Sequence, residues 1–100
     1  MGLYPILHTD YSEIDDILDR WAGIHQFRIH KEYKEVEVRS ILFCGDEGIS
    51  YQLWVEPPNE KGFVEIHVWD YEKRRIDVVV KRDELFEKLE LAYRSIQEPV

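Results

Sequence analysis

Cysteine is nearly missing from this 100-residue chain, and a single Cys44 excludes an internal disulfide. No apolar run approaches the roughly 18 residues of a membrane-spanning helix. Met1-Gly2 lacks the Ser or Thr at position 6 that myristoylation calls for. With no signal-peptide pattern either, the cytoplasm is the expected compartment and no membrane partner is expected. Glycine-rich phosphate loops are absent, because neither the stretch Cys44 to Gly48 nor the loop Pro57 to Gly62 resembles G-x-G-x-x-G or a P-loop. The acids of the first stretch are too few and wrongly spaced for calcium. His8, His25, His30 and His67 show no HxxxH or HExxH spacing, so the sequence predicts no metal and no cofactor.

Positive charge is also scarce. Lys and Arg number 13 against 21 Asp and Glu, a net charge of −8. Nucleic-acid binding needs cations to neutralise phosphates, so that class is excluded, while an acidic surface favours a basic protein partner. The cationic cluster of Lys73, Arg74 and Arg75 with Lys81 and Arg82 reads as a solvated turn.

What is present is globular: 44% hydrophobic and 13% aromatic residues, enough for one domain over residues 1–100. The stretch Ile49 to Tyr71 organises it as two strands joined by a Pro/Gly loop. One face carries Ile49, Tyr51, Leu53, Val55, Val64, Ile66 and Val68, the alternation of a half-buried sheet. The other is mixed, with Ser50, Gln52, Trp54, Glu56, Phe63, Glu65, His67, Trp69 and Tyr71.

Around this pair the spacing predicts a first helix, with Tyr11, Ile14, Ile17, Leu18 and Trp21 on one side. Asp10 with Glu13, or Ser12 with Asp15, would cap its start, and Gly23 its end. Its opposite side would hold Asp15, Asp16 and Asp19. A strand from His25 to His30 follows, with Phe27 and Ile29 inward, and Lys31 to Lys34 as a loop. A second strand, Glu35 to Phe43, would turn Val36, Val38 and Leu42 inward and Glu37, Arg39, Ile41 and Phe43 outward. The fifth strand, Arg75 to Lys81, places Ile76, Val78 and Val80 inward. Asp83 then caps a helix of about 14 residues with Leu85, Phe86, Leu89, Ala92, Tyr93 and Ile96 as its apolar stripe, and Glu84, Lys88, Glu90 and Arg94 on the wet side. Short connections favour an antiparallel meander, so the expected fold is two-layer α+β, in the order α-β-β-β-β-β-α with both helices on one sheet face.

Pairing Val55 with Val64 and Val68 with Ile76 sets the expected register. The open face then has Trp54, His67 and Trp69 at its centre, Ile41, Phe43 and Val79 beside them, and Arg39, Glu65, Arg75 and Asp77 at the rim. An aromatic patch rimmed with charge has interface character. His67 opposite Asp77, with Ser50 diagonal to His67, resembles a nucleophile, base and orienter, but an open sheet offers no oxyanion hole. The expectation is therefore a non-enzymatic, acidic protein-binding module with no catalytic residue. Its partner-binding residues are Trp54, His67, Trp69, Asp15, Asp16 and Asp19. Immunity or antidote proteins that neutralise a basic toxin, or chaperone-like partner binders, have this character. The alternative is a homodimer with its open faces together, binding a small molecule or acting as an enzyme through His67 and Asp77.

Overall fold

Residues 11–44, 50–70, 72 and 75–97 are described in a computed structural model of the chain. The expected caps and contacts of Asp10, the turn 45–49, Tyr71, Lys73 and Arg74, and the side chain of Ile96 lie outside the described residues.

Helix α1 spans Asp15–His25, with Asp15 and Asp16 in its first turn, where negative charge favours the helix dipole. The N-cap residue is Ile14, which makes no side-chain bond, and not the expected Ser12. Gln26, in the left-handed conformation (φ 62°), ends the helix, and the Phe27 amide reaches back to the Ala22 carbonyl at 2.8 Å. Gly23, expected at that end, is an interior helical residue.

Five antiparallel strands follow in the order β1 (His30–Tyr33), β2 (Val36–Cys44), β3 (Ser50–Val55), β4 (Phe63–Trp69) and β5 (Arg75–Lys81). Each pairs with its sequence neighbour, as the meander requires. Arg82–Glu84 form a single 3-10 turn whose Glu84 carboxylate accepts from the Lys81 amide, and α2 spans Leu85–Gln97. Both helices pack on one sheet face. Ile14, Leu18, Trp21, Leu85 and Leu89 there meet Ile41, Leu53, Val64, Ile66 and Val68, all buried.

Three expectations change here. The chain from Gln26 to Ile29 is not a strand, and the segment read as a loop is edge strand β1. His25 accordingly lies on the helix, while Phe27 and Ile29 still pack on the core. Strand β2 is turned over: Arg39, Ile41 and Phe43 are buried, and Val36 and Leu42 are 60% and 59% exposed. The inversion holds because Arg39 finds partners under the helix, which its neighbours in sequence do not reveal. Last, β3 and β4 pair two residues away from the expected register, with Val55 opposite Ile66 and Trp54 opposite His67. The β4 to β5 register is the expected one, with His67 opposite Asp77 and Trp69 opposite Arg75.

Candidate functional site

The register aligns rows of side chains across the sheet face that the two helices leave open. Ser40, Trp54, His67 and Asp77 form one row, and Leu42, Gln52, Trp69 and Arg75 the next. Glu56 follows Val55 and bonds its amide to the Glu65 carbonyl at 3.0 Å, which sets the two carboxylates side by side in a third row. Asn59 supports this corner. Its side-chain oxygen accepts from the amides of Lys61 and Phe63, and Gly62 takes φ 83°, closing the seven-residue connection.

Within these rows the aromatic rings touch. Trp54 stacks on His67 with centroids 5.0 Å apart and planes 24° from parallel. The Arg75 guanidinium lies 5.6 Å from the centroids of both Trp54 and Trp69, a cation bridging two π faces. It also donates from Nε to Asp77 at 3.0 Å. The Arg75 bond, and then the His67 bond, hold the Asp77 carboxyl below its ordinary range.

His67 is the centre of the face. It is only 9% exposed, and its Nδ1 lies 2.6 Å from Asp77 Oδ1, so Nδ1–H donates to that carboxylate. Its Nε2 is buried without a hydrogen-bond partner among the described residues. That atom is aimed between Glu56 Oε2 at 3.3 Å and Glu65 Oε1 at 3.5 Å.

Of the residues singled out from the sequence, Trp54, His67 and Trp69 come together, with Arg75 and Asp77 beside them. Arg39, Ile41 and Phe43 belong to the opposite, helix-covered face. Ser50 pairs with Cys44, four residues along β3 from the partner of His67, and so roughly 13 Å from it. No nucleophile therefore meets the His67–Asp77 pair from that position. Asp16 is exposed, and Asp19 is exposed beside Lys31 at 3.5 Å. Asp15 instead turns to the sheet, where it accepts from Arg39 Nε and Nη2 at 2.7 and 3.0 Å.

Glu56 is the site residue that the expected register hid. Shifted by two, Glu65 faced Trp54 instead of its fellow carboxylate. A second polar cluster was also missed, under the helices. Glu90 accepts from Trp21 Nε1 at 3.0 Å, His25 Nε2 at 2.6 Å and Arg94 Nε at 2.9 Å. Of these, sequence spacing reveals only the Arg94 pair.

The apolar gap between α1 and the sheet, where Leu18, Trp21 and Leu89 approach Ile41 and Leu53, measures about 10 Å³, room for one water at most. Among the described residues no helix is long and apolar enough to cross a membrane. No family model, no curated protein and no solved structure matches the chain.

Proposed function

We propose that the chain is a non-enzymatic protein-binding module of the cytoplasm that captures a basic protein, in the manner of an immunity or antidote protein. The observation that carries this reading is the uncovered sheet face, where Trp54, Trp69 and Arg75 form one stacked unit beside Leu42 and Val79, 59% and 63% exposed. Aromatic and Arg anchors in an apolar centre are the usual composition of an interface hot spot. The acids Glu56, Glu65 and Asp77 on the same face, and the net charge of −8, favour a cationic partner steered in by the field. Asp16 and Asp19 on α1 add to that field, whereas Asp15 is committed to Arg39.

Light scattering behind size exclusion, at two concentrations and two salt levels, tests whether the face is free. A mass near 12.1 kDa throughout is expected. A salt-resistant mass of twice that would give the face to a second copy of the chain and overturn the reading. The immobilised chain should then retain a basic protein that high salt releases and that a Trp54→Glu variant fails to hold.

A further inference from the structure

We propose that His67 Nε2, Glu56 and Glu65 form a binding site for a first-row divalent cation, best suited to Zn²⁺. The ion would draw on the same acids that the proposed function gives to a basic partner, so the site is tested on the chain alone.

The geometry begins with the ring. With the ring neutral, donation of Nδ1–H to Asp77 at 2.6 Å leaves the Nε2 lone pair as the free end of the imidazole. A carboxylate bonded behind a histidine is the usual way of fixing the ring of a metal ligand. The Nε2 atom is buried, has no hydrogen-bond partner among the described residues, and points into a pair of carboxylates, which are themselves acceptors. With the ring neutral, a lone pair and two carboxylates face each other there, and among the described residues no cation is paired with Glu56 or Glu65.

Spacing agrees with a shared ion. Zinc bonds to nitrogen and carboxylate oxygen are about 2.0–2.2 Å, so two ligand atoms at a tetrahedral angle lie roughly 3.4 Å apart. The observed separations from Nε2 are 3.3 and 3.5 Å; the three ligand atoms lie within 4.8 Å of one another, and rotation of the half-exposed Glu56 or Glu65 side chain would bring both carboxylates onto one ion. Charge agrees as well. Glu56, Glu65 and Asp77 bring three negative charges to this corner and Arg75 one positive, an excess that a divalent cation cancels. One imidazole with two carboxylates suits Zn²⁺ or Mn²⁺; Ca²⁺ and Mg²⁺ favour all-oxygen sites with more ligands. Glu56 and Glu65 side chains are 49% and 54% exposed, so the ion enters from solvent and keeps a position open to water.

The test is calorimetric titration of the full, untagged, chelator-treated chain with ZnCl₂ at neutral pH. His67 is nine-tenths buried and its replacement endangers the fold, so the site is removed through its half-exposed acids. One Zn²⁺ should bind per chain, at least 30-fold more weakly in a Glu56→Gln, Glu65→Gln double variant whose circular dichroism is unchanged. Asp77→Asn should weaken binding 10–100-fold, as loss of a carboxylate behind a ligand histidine does. In ¹⁵N spectra, zinc should shift the His67 Nε2 signal while Nδ1 keeps its proton. Absence of binding up to millimolar zinc would overturn the proposal, as would equal affinity in the double variant. A proton on Nε2 in the presence of zinc would also overturn it, leaving an imidazolium ion-paired with the acids.

Discussion

Arg39 and Asp15 meet under α1 as a two-pronged ion pair, 2.7 and 3.0 Å long, with the arginine only 5% exposed. The guanidinium also donates to the Val38 carbonyl at 2.7 Å and to Glu37 at 3.0 Å, and lies 4.3 Å from the Tyr11 ring centroid. The bond to Asp15, and then that to Glu37, raise the guanidinium's pKa against its burial, and the Arg39 bond lowers that of Asp15 in turn. Removing Asp15 takes two bonds from a buried guanidinium and leaves Glu37 as its remaining acid, so Asp15→Ala should cost about 2 kcal/mol in urea unfolding. An Asp15→Leu, Arg39→Met double variant should lose less than Asp15→Ala alone. A larger loss would mean that the pair stabilises the fold beyond cancelling its own burial.

Acid should loosen the contact between the two helices. Burial pushes the pKa of Glu90 up, but bonds from His25, Trp21 and Arg94 outweigh it and hold the group at about 2, against 4.5 for a free glutamate. A folded-state pKa below the unfolded one adds stability above about pH 4.5, and that stability disappears as pH falls toward 2. With allowance for partial exposure, roughly 2 kcal/mol is at stake. Glu90→Gln should therefore be destabilised at pH 6, with the gap from the parent narrowing by pH 3. A gap that stays constant with pH would show that the carboxylate charge contributes nothing.

The hairpin between β1 and β2 turns on Lys34 and Glu35, both left-handed at φ 51° and 68°. A two-residue turn with both φ positive matches the strand twist but strains side chains other than Asn, Asp or Gly. Glu35→Gly, alone or with Lys34→Asn, should raise stability by about 1 kcal/mol in thermal or urea unfolding. A loss of stability would point to a contact of Glu35 that outweighs the backbone strain.

That same turn shows where the sequence was hard to read. Lys34 and Glu35 carry no turn signal, and β1 is exposed at every position, so no alternation marks it. Strand β2 is apolar in both phases, with Val36, Val38 and Leu42 against Ile41 and Phe43. The deciding residue is Arg39, whose partner Asp15 lies 24 residues away on another element. In β3, β4 and β5 a single phase is apolar, and there the buried face, the meander and the pairing of His67 with Asp77 were all legible. The aromatic centre of the site followed from them. Its acidic corner did not, because the pairing of Glu56 with Glu65 depends on how a seven-residue connection closes.

Leu42 and Val79 distinguish a face that serves folding from one that serves docking. Both are large, apolar and more than half exposed on the uncovered side. Residues that contribute packing energy lose it when replaced by a charge; residues already in water change stability by no more than about 0.5 kcal/mol. A Leu42→Lys, Val79→Lys variant should unfold within that margin of the parent and no longer retain the basic protein proposed for this face. By contrast, Trp54 and Arg75 pack on each other, so a double-mutant cycle through Trp54→Leu and Arg75→Ala should give a coupling of about 0.5–1 kcal/mol. If the double lysine variant instead lost 2 kcal/mol or more, Leu42 and Val79 would belong to the fold, and the docking surface would shrink to the aromatic centre around Trp54.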